Sequence, residues 1–176
     1  MSVKAVLALG SNMGDTRDYI NQAISALDRV AGINVVAKSG DYRTPPWGPV
    51  AQDPYRNCCI LVEATCSAHD LLRHSLSIES ALGRVRDVRW GPRTIDIDLV
   101  LFGDEKISDD VLQLPHPRMG ERSFVLVPLK ELLPTYRLED GRSVDEAIAM
   151  CGGVGEIIWL NDNPAFCVGS AVAVSA

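Results

Sequence analysis

The spacing of hydrophobic and polar residues predicts alternating strands and helices in the first part of the chain. A short apolar run over residues 3–9 is followed by a Gly-Ser-Asn turn, which indicates a buried strand. Over residues 20–30, apolar residues recur three and four positions apart, which is typical of a helix with one buried face, and Asp15 or Thr16 would cap its start. β-branched residues then predict a second strand over residues 33–44.

The pattern continues through a long loop into another strand and helix. Residues 45–54 include four prolines and a tryptophan, and loops of this length are often functional. A strand pattern resumes over residues 55–64, and Ser67 then caps a helix that ends at Gly83. Residues 94–102 predict one more strand.

This order of elements, β-α-β-β-α-β, predicts the fold class. It is the order of the split β-α-β arrangement, in which a four-stranded antiparallel sheet carries two helices on one face. We therefore expect an α+β protein, a ferredoxin-like βαββαβ sandwich with an irregular C-terminal extension.

The rest of the chain has a less regular pattern. Short helices are expected over residues 118–134 and 143–150, and a last strand around Trp159. The length of 176 residues is ordinary for one domain. We expect a single domain over residues 1–160 and a flexible tail over 161–176.

Composition and charge argue against some classes of binding partner. The chain has 17 basic and 23 acidic side chains and a formal net charge of −6, which argues against non-specific binding to nucleic acid or to an anionic membrane. No apolar run approaches the roughly 20 residues of a membrane span. The five cysteines contain no C-x-x-C pair, which suits a reducing compartment. We expect a cytoplasmic monomer with small-molecule partners, no nucleic acid and no membrane.

Two aspartates on the predicted strand 94–102 are the strongest chemical signal. Asp96 and Asp98 alternate with isoleucines, so both carboxylates face the same way, about 6.6 Å apart along the chain. A half-buried strand with a solvated face would also place aspartates there. We expect Val100 and Phe102 on the same face, however, which would make it only partly solvated. At this separation the carboxylates repel by roughly 3 kcal/mol, and a Mg²⁺ ion that also binds phosphate oxygens would remove that repulsion.

An arginine-rich stretch lies directly before these aspartates. Arg84, Arg86, Arg89 and Arg93 fall within ten positions of an otherwise acidic chain. A solvated charged loop is the alternative explanation. Guanidinium groups match phosphate oxygens in pairs, however, and arginines beside a Mg²⁺-binding carboxylate pair are the parts of a phosphoryl- or nucleotidyl-transfer site. Trp90 adds a flat surface for stacking, unless it is a buried structural residue.

One histidine extends this set of phosphate-binding candidates. His116 lies between two prolines and is followed by Arg118 and Arg122. A histidine in such a stiff loop can donate a hydrogen bond to a phosphate oxygen, although a plain surface histidine is the alternative. The sequence contains no P-loop, no G-x-G-x-x-G fingerprint and no G-x-S-x-G elbow.

Several of these motifs together resemble one enzyme family. Residues 89–100, Arg-Trp-Gly-Pro-Arg-Thr-Ile-Asp-Ile-Asp-Leu-Val, are similar to the signature of the 6-hydroxymethyl-7,8-dihydropterin pyrophosphokinases of the folate pathway. Residues 10–12, 42–49, 83–86 and 114–124 resemble other motifs of that family, in the same order. The resemblance extends over about residues 3–160.

The resemblance implies a reaction and a set of site residues. Such enzymes transfer the terminal pyrophosphate of ATP to the hydroxymethyl oxygen of a reduced pterin and release AMP. Two Mg²⁺ ions, bound with ATP, would be held by Asp96 and Asp98, and the implied catalytic residues are Arg84, Arg93, Asp96 and Asp98. The implied ATP-binding residues are Glu79, Arg84, Arg86, Trp90, Arg93, Leu99, His116 and Arg122. The implied pterin-binding residues are Thr44, Pro45, Trp47, Tyr55, Asn57, Trp90 and Phe124.

Two other functions fit the same residues. A Mg²⁺-dependent nucleotidyltransferase with a D-x-D pair would use the same aspartates and would release pyrophosphate instead of AMP. A non-catalytic pterin- or nucleotide-binding domain would bind these ligands without turnover. The nucleotide product separates the three hypotheses.

Overall fold

The computed structural model describes residues 1–46, 51–84, 91–152 and 154–168. The strands in this part are β1 (Val3–Ser11), β2 (Ile33–Lys38), β3 (Asp41–Thr44), β4 (Tyr55–Ala64), β5 (Asp96–Phe102), β6 (Ile107–Ser108), β7 (Gln113–Leu114), β8 (Ile158–Leu160) and β9 (Phe166–Cys167). The helices are α1 (Thr16–Asp28), α2 (Ala68–Ala81), α3 (Ser123–Leu132) and α4 (Val144–Met150). Among these described segments, no helix combines the length and the apolar character that a bilayer span requires.

An antiparallel sheet with helices packed on it is the framework of the molecule. The main sheet has the strand order β5-β1-β4-β2-β9, and β3 pairs with β4 on one side and with β8 on the other. All of these pairs are antiparallel. The predicted antiparallel sheet is confirmed. Helix α1 connects β1 to β2, and α2 lies between β4 and β5.

Helices cover both faces of this sheet: α1 and α2 share one face, as predicted, and α3 and α4 cover the other. Along β1 and β4, Leu7 and Ile60 pack in one core with α1 and α2. The intervening Val6 and Leu61 pack in a second core with α3 and α4, where Leu126 is fully buried. Because successive side chains of a strand point to opposite faces, central strands this apolar must be covered on both sides. The C-terminal third of the chain supplies the second cover.

The single strand predicted over residues 33–44 is two strands, β2 and β3. The break falls at Ser39 and Gly40, where the backbone N–H of Gly40 donates to Glu131 Oε2 at 3.1 Å. A Cβ atom at Gly40 would lie 2.5 Å from Trp159 Nε1, so any larger residue here would have to displace the Trp159 side chain. The break therefore depends on side chains from α3 and β8.

The register of β5 also differs from the prediction. Pairing with β1 shifts by one residue between Leu99 and Leu101, which is a β-bulge at Val100. Val100 and Leu101 consequently both pack in the core of α3 and α4, and Phe102 packs in the core of α1 and α2. The expectation that Phe102 shares the face of the two aspartates is wrong, and that for Val100 is correct.

Part of the predicted flexible tail is paired with the sheet. The β9 residues Phe166 and Cys167 pair with β2, and the Val168 N–H donates to the Val36 carbonyl at 2.8 Å. Asn163 is buried. Up to residue 168, this segment therefore has specific partners, which its sequence pattern did not suggest.

The second core generates a stability prediction. We expect Leu126→Ala to lower the free energy of unfolding by about 3 kcal/mol, because it leaves a cavity in place of a fully buried side chain. The matched control is Leu76→Ala, which truncates a 40% exposed leucine on α2 and is expected to cost less than about 1 kcal/mol. Urea denaturation of both variants measures the difference, and equal losses would contradict the assignment of α3 to a core.

Candidate active site

A cavity of about 590 Å³ opens where β1 ends and β4 and β5 begin. It gathers residues from four separate parts of the chain that the sequence singled out. Those in its wall are Thr44, Pro45, Tyr55, Asn57, Glu79, Arg84, Arg93, Asp96, Asp98, Leu99, His116, Arg122 and Phe124. The predictions for Trp47, Arg86 and Trp90 fall on residues outside the described part of the chain.

The register of three strands forms the floor of this cavity. Gly10 of β1 pairs with Asn57 of β4 on one side and with Asp96 of β5 on the other, and Ala8 pairs with Asp98. Neighbouring strands are about 4.8 Å apart, so Asn57 and Asp96 are separated by about 10 Å. A Cβ atom at Gly10 would lie 2.6 Å from Asn57 Oδ1. Small residues on β1 therefore leave room between the polar groups of β4 and β5.

Two arginines converge on the first aspartate. Arg84 and Arg93 both form ion pairs with Asp96. Arg84 also pairs with Glu79 of α2, whose carboxylate accepts the Ile97 N–H at 2.7 Å. Glu79 is only 2% exposed, and a carboxylate so deeply buried requires such partners. Glu79 thus lines the cavity and anchors both Arg84 and the start of β5, while its place near the nucleotide stays a prediction.

The second aspartate is held less tightly. Arg122 Nη1 lies 3.3 Å from Asp98 Oδ2. Burial in the cleft and the negative charge of Asp96 raise the pKa of Asp98 to about 6, although the side chain keeps 37% of its surface exposed. The two carboxylates therefore repel each other at an opening to solvent.

These two carboxylates fit a divalent cation that brings its own further ligands. The donors are all oxygen, which suits Mg²⁺, and a cation between them would relieve their repulsion. Within the described ranges, no group of three or more His, Cys, Asp or Glu side chains could hold a metal ion. Substrate phosphates and water would have to complete the coordination, as is usual for Mg²⁺.

The orientation of His116 makes its ring a hydrogen-bond donor. Its backbone N–H donates to the Val100 carbonyl at 2.9 Å, which ties the loop to β5. Its Nδ1 accepts the Arg118 N–H at 3.2 Å, so the neutral ring carries its proton on Nε2. Burial is the main cause that lowers the pKa of His116, and the positive charge of Arg122 lowers it further, to about 4. At neutral pH the ring is uncharged, and Nε2 is the ring atom that can donate a hydrogen bond.

The opposite part of the cavity combines amide, hydroxyl and aromatic groups. Asn57 Nδ2 donates to Thr44 Oγ1 at 2.7 Å. The Tyr55 hydroxyl lies 3.2 Å from the Gly91 carbonyl, and Phe124 adds an aromatic wall at the start of α3. Such a pocket fits a flat heteroaromatic ring with a polar edge.

Asn12 organises the site in a way that the sequence did not reveal. Its side-chain oxygen accepts the Arg93 N–H at 2.8 Å, and its own N–H donates to the Arg93 carbonyl at 3.1 Å. Its Nδ2 donates to Gln52 Oε1 and to the Asp53 carbonyl, both at 3.0 Å. Asn12 thereby joins β1 to the loop before β4 and to the segment before β5. The sequence indicated a turn and a family motif at residues 10–12 but none of these contacts, because the partners lie 40 or more positions away.

The environment of His116 predicts an unusual titration. We expect its ring to take up a proton at pH about 4 in the ligand-free protein, well below the ordinary value of 6.5. In the unfolded chain the ring is protonated near 6.5, so its contribution to stability is lost as the pH falls from 6.5 towards 4. An NMR titration, assigned with His116→Gln, measures the value. Arg122→Gln should raise it, and a wild-type ring that titrates near 6.5 would contradict the geometry.

Comparison with known proteins identifies the family. The model of the family described as 7,8-dihydro-6-hydroxymethylpterin-pyrophosphokinase (HPPK) matches residues 6–134. A relative named 2-amino-4-hydroxy-6-hydroxymethyldihydropteridine pyrophosphokinase, from Methylorubrum extorquens, is 48% identical over 146 residues, which are 83% of this chain and 92% of the relative. A relative of the same name from Pseudomonas aeruginosa is 40% identical over 151 residues, 86% of this chain and 93% of the relative.

Solved structures support the fold independently. The chain resembles a crystal structure of a Plasmodium falciparum HPPK-DHPS triple mutant with a TM-score of 0.67 at 14% sequence identity. The match covers 85% of this chain and only 43% of that chain, so this likeness concerns the fold alone. The family model and the relatives confirm the resemblance seen in the motifs: the chain belongs to the 7,8-dihydro-6-hydroxymethylpterin-pyrophosphokinase family.

Proposed function

We propose that the cavity between β4 and β5 is where this chain transfers pyrophosphate from ATP to the hydroxymethyl oxygen of 6-hydroxymethyl-7,8-dihydropterin. This transfer, a step of folate biosynthesis, is the activity that family membership gives the chain. One observation carries this assignment. Asp96 and Asp98, with their arginines, lie on β5 about 10 Å from Asn57 on β4, and the small residues of β1 lie between them.

The charges on the β5 side suit ATP with bound magnesium. Three guanidinium groups, from Arg84, Arg93 and Arg122, balance the three carboxylates of Glu79, Asp96 and Asp98. ATP that carries two Mg²⁺ ions is close to neutral, so it adds little net charge to this balanced set. When bound, the ions would polarise the phosphate oxygens and draw charge from the breaking bond.

The β4 side suits the pterin. Phe124 offers a face for ring stacking, and the Asn57 and Thr44 side chains offer hydrogen-bonding groups for the polar edge of the ring. Tyr55 closes the pocket beside Gly91. The roles that the resemblance gives to Trp47 and Trp90 remain predictions.

The chemistry follows from holding the two substrates side by side over Ala8 and Gly10. The hydroxymethyl oxygen attacks the β-phosphorus and releases its proton to water. The bond from that phosphorus to the oxygen shared with the α-phosphorus breaks, and AMP leaves with that oxygen and its electron pair. Arg84 and Arg93 lie where negative charge grows, and fixed positive groups of this kind stabilise a transition state without reorganising. Alignment of the two substrates supplies a further large part of the rate.

We also infer that the sheet is ferredoxin-like in its topology. The order β5-β1-β4-β2, with α1 between β1 and β2 and α2 between β4 and β5, supports this assignment. Two interleaved β-α-β units produce this order, and the first and last strands then lie side by side. That neighbourhood is what brings Gly10 beside Asp96.

The proposed reaction predicts its products. Incubation with ATP, Mg²⁺ and 6-hydroxymethyl-7,8-dihydropterin should yield AMP and the pterin diphosphate, because the β-phosphorus is the atom attacked. Chromatography of the nucleotides measures the outcome. ADP would contradict the proposal, released pyrophosphate would favour the nucleotidyltransferase, and calorimetric binding without any product would favour a non-catalytic domain.

The proposed metal site predicts a specific loss of activity. Asp98→Asn should lower kcat by about 100-fold or more and raise the Mg²⁺ concentration needed for half-maximal rate, because it removes one of the two anionic ligands. Steady-state kinetics over a Mg²⁺ series measures both. The matched control is Asp104→Asn, an exposed aspartate just beyond the other end of β5. Equal effects of the two substitutions would refute the metal assignment.

A further inference from the structure

The C-terminal segment of residues 158–168, here called the strap, lies outside the part of the chain that the family model matches. It runs along two edges of the sheet, where β8 pairs with β3 and β9 pairs with β2. β3 has four residues, and β8 supplies its second neighbour. The strap therefore completes the pairing of the strand that ends at Thr44.

Behind this strand lies a buried cluster of charges. Lys38 is 2% exposed and Asp41 is fully buried. Lys38 Nζ donates to Asp41 Oδ1 at 2.6 Å, and Arg56 Nη1 donates to Asp41 Oδ2 at 2.9 Å. These three groups alone carry one excess positive charge in a poorly hydrated place, which is costly unless another anion is present.

The strap supplies the missing anion and further hydrogen bonds. Arg56 donates to both carboxylate oxygens of Asp162 at 2.8 Å, a bidentate pair that balances the cluster. This pairing raises the pKa of Arg56 and lowers that of Asp162. Asn163 Nδ2 donates to Asp41 Oδ2 at 2.8 Å, and its carbonyl accepts from Lys38 Nζ at 3.3 Å.

The cluster lies directly behind the proposed pterin pocket. Arg56 stands between Tyr55 and Asn57 on β4, so its side chain and theirs point to opposite faces of the sheet. On β3, Thr44 pairs with Tyr55, three residues after the buried Asp41. The charged cluster on one face of the sheet therefore holds β3 and β4 together. The other face of these two strands carries the polar groups of the pocket.

We propose that Asp162 and Asn163 are positioning residues, which hold β3 against β4 so that the pocket side chains meet the pterin ring in one geometry. This inference rests on the proposed pterin pocket. Neither residue touches the cavity, so their influence on the substrate passes through Asp41 and Arg56. Loss of the strap contacts then weakens pterin binding more than ATP binding, because the β5 side of the cavity has separate supports in Glu79 and Asn12.

Asp162→Ala in the full chain tests the proposal, because Asp162 is 45% exposed in its side chain and its removal leaves the cores intact. We expect the pterin KM, and the pterin Kd from calorimetry, to rise about five- to tenfold. The KM for ATP and kcat at saturation should change less than about twofold. The matched control, Asp140→Ala, removes another aspartate paired with an arginine, Arg142, and should change none of these.

Two comparisons separate the possible failures. Asn57→Ala is measured in parallel and should raise the pterin KM, because Asn57 lines the pocket itself. If Asn57→Ala raises the KM but Asp162→Ala only lowers Tm, the strap is merely structural and the positioning role is wrong. If Asn57→Ala leaves the pterin KM unchanged, the pterin pocket is misassigned and the positioning role fails with it. Asp162→Glu, which keeps the charge, should recover part of the lost pterin affinity.

Discussion

The antiparallel register of β4, β1 and β5 is the constraint on which the site depends. It places Asn57, Gly10 and Asp96 in one row across the sheet. A shift of one residue would turn the aspartates of β5 into the core of α1 and α2 and bring isoleucines to the cavity. The buried isoleucines on either side of Asp96 oppose that shift, so the hydrophobic core also fixes where the carboxylates lie.

The second structural constraint is the balance of charge in two clusters of ionised side chains. Around Asp96, arginines and carboxylates neutralise one another while leaving Asp98 partly open to solvent. Around Asp41, lysine, arginine and the strap residue Asp162 reach the same balance, with Asp41 fully buried and the Asp162 side chain 45% exposed. The two clusters lie on opposite faces of the sheet, and the arrangement at Asp96 borders the cavity of the proposed site. Buried pairs of this kind are costly to break singly, so both clusters favour one geometry.

The sequence predicted what is local and missed what depends on distant partners. The strand alternation around Asp96 and the apolar spacing of α1 follow from neighbours in the chain, and both are present. The break at Gly40 depends on Trp159 and Glu131, and the role of Asn12 depends on segments far along the chain. No periodicity encodes such contacts. The family motifs did identify residues that line the cavity, because a motif shared by a family reflects contacts in the fold that its members share.

The proposed reaction requires the carboxylates of β5 and the amide of β4 to hold two substrates in line across β1. A crystal structure with Mg²⁺, 6-hydroxymethyl-7,8-dihydropterin and α,β-methylene-ATP, in which the bond to be broken is blocked, is the decisive measurement. We expect metal ions bound to Asp96 and Asp98, the pterin beside Asn57, and the hydroxymethyl oxygen facing the β-phosphorus above Gly10. Metal bound away from these aspartates, or a pterin outside the pocket of Asn57, would contradict this arrangement.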